Sequence, residues 1–382
     1  MDPFQRLPVE IIQSIVQYIP DFVGLESLLL VSARVKAIFH HDPCVVDLDD
    51  LLASTYILGM PDIPRIFRQV ALVHSQSIRS SSGDDNNDSA SENCPVSSAT
   101  LLYMIHIAAQ IQRQACICLP TMRHKFCTAV ETHLAASIET EDFAGPFSWV
   151  EEYRTYWALW HLRHYSDLQK LARDHINSPD NISIVKRLKT YASWNGLGAP
   201  VVDVLLHRVE EIWSIAATLT DLGLHASYGS LARQQEEPRQ DRQGRPSRIP
   251  MPLFTSFKFP PRAIDHPVWC PPPVPDNTAV DRAWDRAVRT SEDASRGSFF
   301  YQQLVNIVKA FRPADPAIQD MPLYRRLGVF IWDSWRLYSA GLEFITTGNT
   351  PAPNGGFVQS KHIDQETIYD MHARWLALRG KN

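Results

Sequence analysis

Long hydrophobic runs are missing from this 382-residue chain. No stretch approaches the ~18 to 20 consecutive apolar residues that a membrane-spanning helix needs. Asp2, Arg6, Glu10 and Asp21 interrupt the N-terminal apolar residues where a signal peptide would keep an unbroken core. Cysteine is sparse. Six thiols, at 44, 94, 116, 118, 127 and 270, follow no framework spacing, which argues against a disulfide-stapled fold and for a reducing compartment, cytoplasmic or nuclear. An excess of positive charge is lacking too: 37 Lys and Arg stand against 42 Asp and Glu, and the first 50 residues, with 3 basic and 8 acidic side chains, hold the whole imbalance of −5. Neither nucleic acid nor a membrane is an expected partner.

Catalytic signatures are equally scarce. The chain has no GxSxG elbow, no Walker loop, no dinucleotide-binding glycine fingerprint and no HExxH. Cys116, Cys118, His124 and Cys127 have a loose metal-ligand look, but residues two apart on a helix point about 200° from each other. His161 and His164 share a helix face and suit core positions. The expectation is a protein that is not an enzyme, with no metal and no cofactor.

What the chain does have is helical periodicity, and almost no strand alternation. Its first patterned stretch is LPVEIIQSIVQYIP, residues 7–20. Glu10, Gln13, Ser14 and Gln17 make one narrow polar stripe, and the apolar residues take well over half the circumference. A helix packing once against its own core needs an apolar arc only somewhat wider than ~100°, so two things must cover this one. Pro8 suits the first helical position and Pro20 stops the helix. Asp21 can cap FVGLESLLLV, and Ser32 opens ARVKAIF.

Residues 75–98, with nine serines and four acids, have little to bury and read as a disordered linker. Helical pattern resumes in two segments divided at Pro120. The most aromatic helix starts near Ser148, where Ser148 and Glu151 match a capping box, and its Tyr153, Tyr156, Trp157 and Trp160 mark a central core element. Another helical segment follows Pro200. A proline-dense excursion at 233–278 carries Phe254, Phe257, Phe259 and Trp269. Helical segments are expected near 279–292, 298–311, 321–343 and 364–378. The Trp-Asp pairs at 284 and 332 sit in helical contexts without other features of a propeller blade.

LPVEIIQSIVQYIP followed by LESLLLVSARVKAIF resembles an F-box, over roughly residues 4–44. The late segment RRLGVFIWDSWRL is similar to one near the C-termini of filamentous-fungal F-box proteins that lack named repeats. Val35 stands where the family usually carries an aromatic residue, Ala33 where it often has Lys, and Gly24 falls inside the second helix. The first two departures point to a weaker or rearranged third-helix contact, and Gly24 costs its helix roughly 1 kcal/mol relative to Ala. The resemblance implies an all-α protein with a three-helix F-box at 1–48, connecting helices at 49–74, the linker at 75–98 and a larger irregular helical domain at 99–382 that binds a client. It further implies docking on a Skp-family adaptor, and through it a cullin-based ubiquitin ligase, by Leu7, Pro8, Ile11, Ile12 and Ile15, with Leu28, Val31 and Ser32 in support. Phe257 and Trp269 are the candidate client contacts. The function so implied is substrate recognition for an SCF-type ligase. An F-box interaction protein acting outside any ligase is the alternative, and an enzyme with this start by coincidence is a third reading.

Overall fold

The computed structural model describes residues 2–19, 21–41, 63–82, 97–134, 142–174, 182–184, 187–188, 205–224, 321–342, 350–351, 357–358 and 365–378. The fold is all-α. The longer helices are α1 (Val9–Tyr18), α2 (Phe22–Val31), α3 (Ala33–His41), α4 (Ile63–Ser82), α5 (Ser98–Leu134), α6 (Trp149–Asp174) and α7 (Leu205–Asp221); α8 (Met321–Arg326), α9 (Ser334–Ser339) and α10 (Gln365–Ala377) follow. Among the described residues the only strand pairing is a two-residue antiparallel pair, Thr350–Pro351 with Phe357–Val358.

The chain divides into two compact units. The first draws on Met1–Ile117 and Leu159–Leu188, the second on Cys118–Ala158, Lys189–Ser256 and Pro275–Asn382, so α5 and α6 contribute to both. The three N-terminal helices thus share a unit with α4, the start of α5 and the later part of α6.

In the first unit, local chemistry sets the entry to each short helix. Pro8 occupies the cap of α1, one residue before the helix proper. The Asp21 carboxylate accepts from Gly24 N at 2.6 Å and caps α2, while Ser32 Oγ accepts from Val35 N at 3.1 Å at the start of α3. Gly24 answers to crowding: a Cβ there would stand 3.2 Å from Ile19 Cγ2. Residues before α1 are stapled to α3, because Asp2 accepts from Ser32 Oγ and Arg34 N, and the Arg34 guanidinium donates to the carbonyls of Gln5 and Leu7. Inward-facing Ile12, Val16, Phe22, Leu25, Leu29 and Val35 are buried. Phe67 of α4 stands with its ring centroid 6.1 Å from that of Phe22 and 5.0 Å from that of Trp160 of α6.

Two expectations about α4 and α5 need correction. Helix α4 runs on to Ser82, so residues 75–82 are not part of a disordered linker. Val70, Ala71 and Val73 are buried, and extending a helix from a packed section costs little per residue compared with nucleating one. Residues 83–96 lie outside the described residues. Helix α5 does not divide at Pro120 either. An interior proline costs ~3 kcal/mol, but Cys118, Leu119, Met122 and Phe126 around it are all buried, and large apolar side chains contribute roughly 1.5 to 3 kcal/mol each.

In the second unit the capping box forms as written: Ser148 N donates to Glu151 Oε2 at 3.1 Å and Glu151 N to Ser148 Oγ at 3.4 Å. The segment expected as one helix over 321–343 breaks into α8, a buried turn and α9. Gly328 adopts φ +68°, which an L side chain rarely tolerates, and a Cβ there would lie 3.1 Å from Met122 Cβ. The break sends Val329, Phe330, Ile331 and Trp332 into the core and leaves Asp333 to cap α9 through Arg336 N at 2.7 Å. The second Trp-Asp pair is therefore a core residue followed by a helix cap, not part of a helix. Trp332 Nε1 donates to Leu327 O, and Trp375 Nε1 to Leu342 O, so both buried indoles keep a hydrogen bond.

Candidate docking surface

Among the described residues, large apolar side chains exposed to solvent are few, and they concentrate in the N-terminal helices. Among the described residues, Val9 (38%), Ile11 (46%), Tyr18 (86%), Leu30 (56%) and Val31 (66%) belong to α1 and α2, against only Leu72 and Ile182 elsewhere. On α1, Ile11, half-buried Ile15 and Tyr18 fall at i, i+4 and i+7, a strip beside the inward pair Ile12 and Val16. The first helix thus covers one part of its apolar arc with its own unit and leaves the other bare. Where exposed apolar side chains cluster, they mark interaction sites on soluble proteins, which makes this set the candidate.

The residues singled out from sequence fall into two groups. Ile11 and Val31 are exposed, Pro8 is exposed, and Leu7 and Ile15 are half-buried. Ile12, Leu28 and Ser32 are buried inside the unit; they support the surface and do not form it, so a charge placed at Ile12 would report on folding. Val9, Tyr18 and Leu30 were missed. Tyr18 follows the helical strip begun by Ile11, and that spacing was the available signal. Phe257 and Trp269 lie outside the described residues.

Charged groups hold this surface from below. Glu26, one turn before Leu30 on α2, is buried with both carboxylate oxygens engaged: Arg113 Nη2 at 2.5 Å and His106 Nδ1 at 2.6 Å. Burial works against its charge, yet these hydrogen bonds from His106 and Arg113 keep the carboxyl below its ordinary pKa. The Asp2 carboxyl is held low as well, by the amide of Arg34 above all.

Other clusters are closed. In the first unit His74 stacks on Tyr103 at 3.5 Å, and Arg163 donates to the Tyr103 hydroxyl while gripping Asp167 at 2.8 and 2.9 Å. Burial pushes Tyr103 up to about 12, so its hydroxyl stays protonated at neutral pH. His161 and His164 are both buried. His164 Nε2 faces Arg187 at 3.0 Å, and burial, reinforced by that guanidinium, pushes its pKa down to about 3.

In the second unit Arg336 grips both oxygens of Glu151, at 2.7 and 2.8 Å, and donates further to the carbonyls of Phe143, Gly145 and Pro146. Burial, with Asp333 nearby, pushes the Glu151 carboxyl up, and Arg336 opposes this. Arg154 donates to the carbonyls of Ile331 and Trp332, and Arg325 makes a two-pronged pair with Glu210 at 2.7 and 3.0 Å. Arg325, Asp333 and Arg336 of RRLGVFIWDSWRL are all buried and engaged, which makes that segment a clamp on its own unit. Among the described residues no three His, Cys, Asp or Glu side chains gather as metal ligands, and no helix is long and apolar enough to cross a membrane.

No protein-family model matches the chain, and searches of curated proteins and of solved structures also returned no match.

Proposed function

We propose that the chain is a substrate-recognition subunit of an SCF-type ubiquitin ligase, which docks on a Skp-family adaptor through α1 and α2 and presents a client protein from its helical body. The observation that supports this most is the exposed apolar set Val9, Ile11, Tyr18, Leu30 and Val31, which lies within the segment that resembles an F-box. Burying one such side chain in an interface contributes roughly 1.5 to 3 kcal/mol. A few anchors therefore exceed the cost of association.

The mechanism is one of proximity and needs no catalytic residue in this chain. A client held by the body gains effective concentration near the ubiquitin-charged enzyme. Reconstitution tests it: the full-length chain, adaptor, cullin and charged enzyme should together transfer ubiquitin to proteins that co-purify with the chain, and omission of the chain should stop the transfer. Transfer that is indifferent to the chain would leave it outside the ligase.

A further inference from the structure

We propose that helix α5 positions the docking surface, with Gln112, Arg113 and Glu26 as positioning residues that fix α2, and with it Leu30 and Val31, for adaptor capture. The proposal rests on the docking function above.

The first turn of any helix leaves its leading backbone N–H groups without intrahelical acceptors. A short helix that acted as a tethered module would cap itself. The Asp21 side chain does so for Gly24 N. The two preceding donors, Phe22 N and Val23 N, both go to the side-chain carbonyl of Gln112, at 2.9 and 3.2 Å. Gln112 is buried on α5, some ninety residues away in the chain. One turn further along α2, Glu26 is held by Arg113, the next residue of α5, and by His106.

Two anchors at successive turns set both the position of α2 along its axis and its rotation about it. Rotation decides the exposed face: residues one apart on a helix differ by about 100°, so a turn of that size would exchange the inward Leu29 for the outward Leu30. Phe22 and Leu25 are buried on the anchored side, and Leu30 and Val31 remain outside. The composition of the docking face therefore depends on residues of α5 as well as on those of α2 itself.

The test uses the full-length protein and a purified Skp-family adaptor. Gln112→Leu keeps much of the side-chain volume but offers no acceptor; Gln112→Glu keeps the acceptor at a helix N-terminus that favours negative charge. Val70→Ala, a core change on α4, serves as a control for lowered stability. Val31→Asp tests docking itself. Leaving buried donors without an acceptor changes equilibria by roughly tenfold or more. In Gln112→Leu, amide exchange at Phe22 and Val23 should therefore accelerate by about that factor, and adaptor affinity should fall by a similar one. Gln112→Glu should restore both, and Val70→Ala should bind as the wild type does. Val31→Asp should lose binding with normal exchange at Phe22 and Val23.

Unchanged affinity or unchanged exchange in Gln112→Leu overturns the proposal, as does an equal loss of affinity in Val70→Ala, which would make the effect one of stability alone. A wild-type chain that does not bind the adaptor overturns the docking function, and the positioning claim falls with it.

Discussion

Replacing Arg336 by Met should unfold the second unit well before the first. Arg336 supplies two donors to Glu151 and three to the carbonyls of Phe143, Gly145 and Pro146. Without it the Glu151 carboxylate, fully buried, keeps only the amides of Asp333 at 3.2 Å and Ser148 at 3.1 Å. Removing one partner of a buried ion pair costs about 3 to 5 kcal/mol, because the other charge stays buried. A loss of about 4 kcal/mol in a unit of this size lowers its melting temperature by roughly 10 °C. Replacing both residues by Met removes the stranded charge, and roughly half the loss or more should return. Differential scanning calorimetry on the wild type, the two single variants and the double variant provides the full cycle. A single-variant loss under ~1 kcal/mol, or a double variant no better than Arg336→Met, would refute the reasoning.

Acid should weaken the first unit through His164. Its folded pKa lies near 3, below the ordinary ~6.5, so the unfolded chain binds the extra proton first and stability declines as pH falls from about 6.5 toward 3, by up to ~1.4 kcal/mol per pH unit. Urea titrations at several pH values should show a slope that His164→Gln reduces; an identical slope in that variant contradicts the assignment. Gly328→Ala should cost roughly 2 kcal/mol or more, since it adds a Cβ in the left-handed region against Met122 and Trp332. Gly223→Ala, with φ +70° but nothing within 4 Å, should cost about half as much by the same thermal assay. Replacing Phe257 and Trp269 by Ala should remove co-purifying clients and leave adaptor binding intact; a lowered melting temperature with no selective loss of clients would instead assign them to packing.

Parts of this architecture were legible because they rest on short-range chemistry. The caps at Asp21 and Ser32, the Ser148–Glu151 capping box and the amphipathic α10 each need only a few consecutive residues to specify them. The aromatic stripe of α6 was legible as core because helical spacing puts Tyr153, Tyr156, Trp157 and Trp160 on inward faces, and all four are buried. Long-range terms hid the rest. Pro120 signals a helix end locally, but packing around Met122 and Phe126 carries α5 through it. The break after α8 hangs on one glycine, Gly328, and on where Met122 stands. On α1 the breadth of the apolar arc was legible but not which side its own unit would cover: Ile12 proved inward and Tyr18 outward. Gln112 gave no local sign of capping a helix ninety residues earlier. Glu26, a lone acid in LESLLLV, was a sign of a buried pair that sequence alone could not complete.

Binding of the full-length chain to a purified Skp-family adaptor tests docking most directly. Dissociation constants would be measured by titration calorimetry for the wild type, Gln13→Ala, Ile11→Asp and Val31→Asp, with melting temperatures taken on the same preparations. Burying a carboxylate where an aliphatic anchor stood costs at least 2 kcal/mol or so. Ile11→Asp and Val31→Asp should therefore bind at least about thirtyfold more weakly at unchanged melting temperature, while Gln13→Ala stays near the wild type. A wild-type chain that forms no complex, or three variants that all bind as tightly as the wild type, would contradict the assignment of this face to an adaptor.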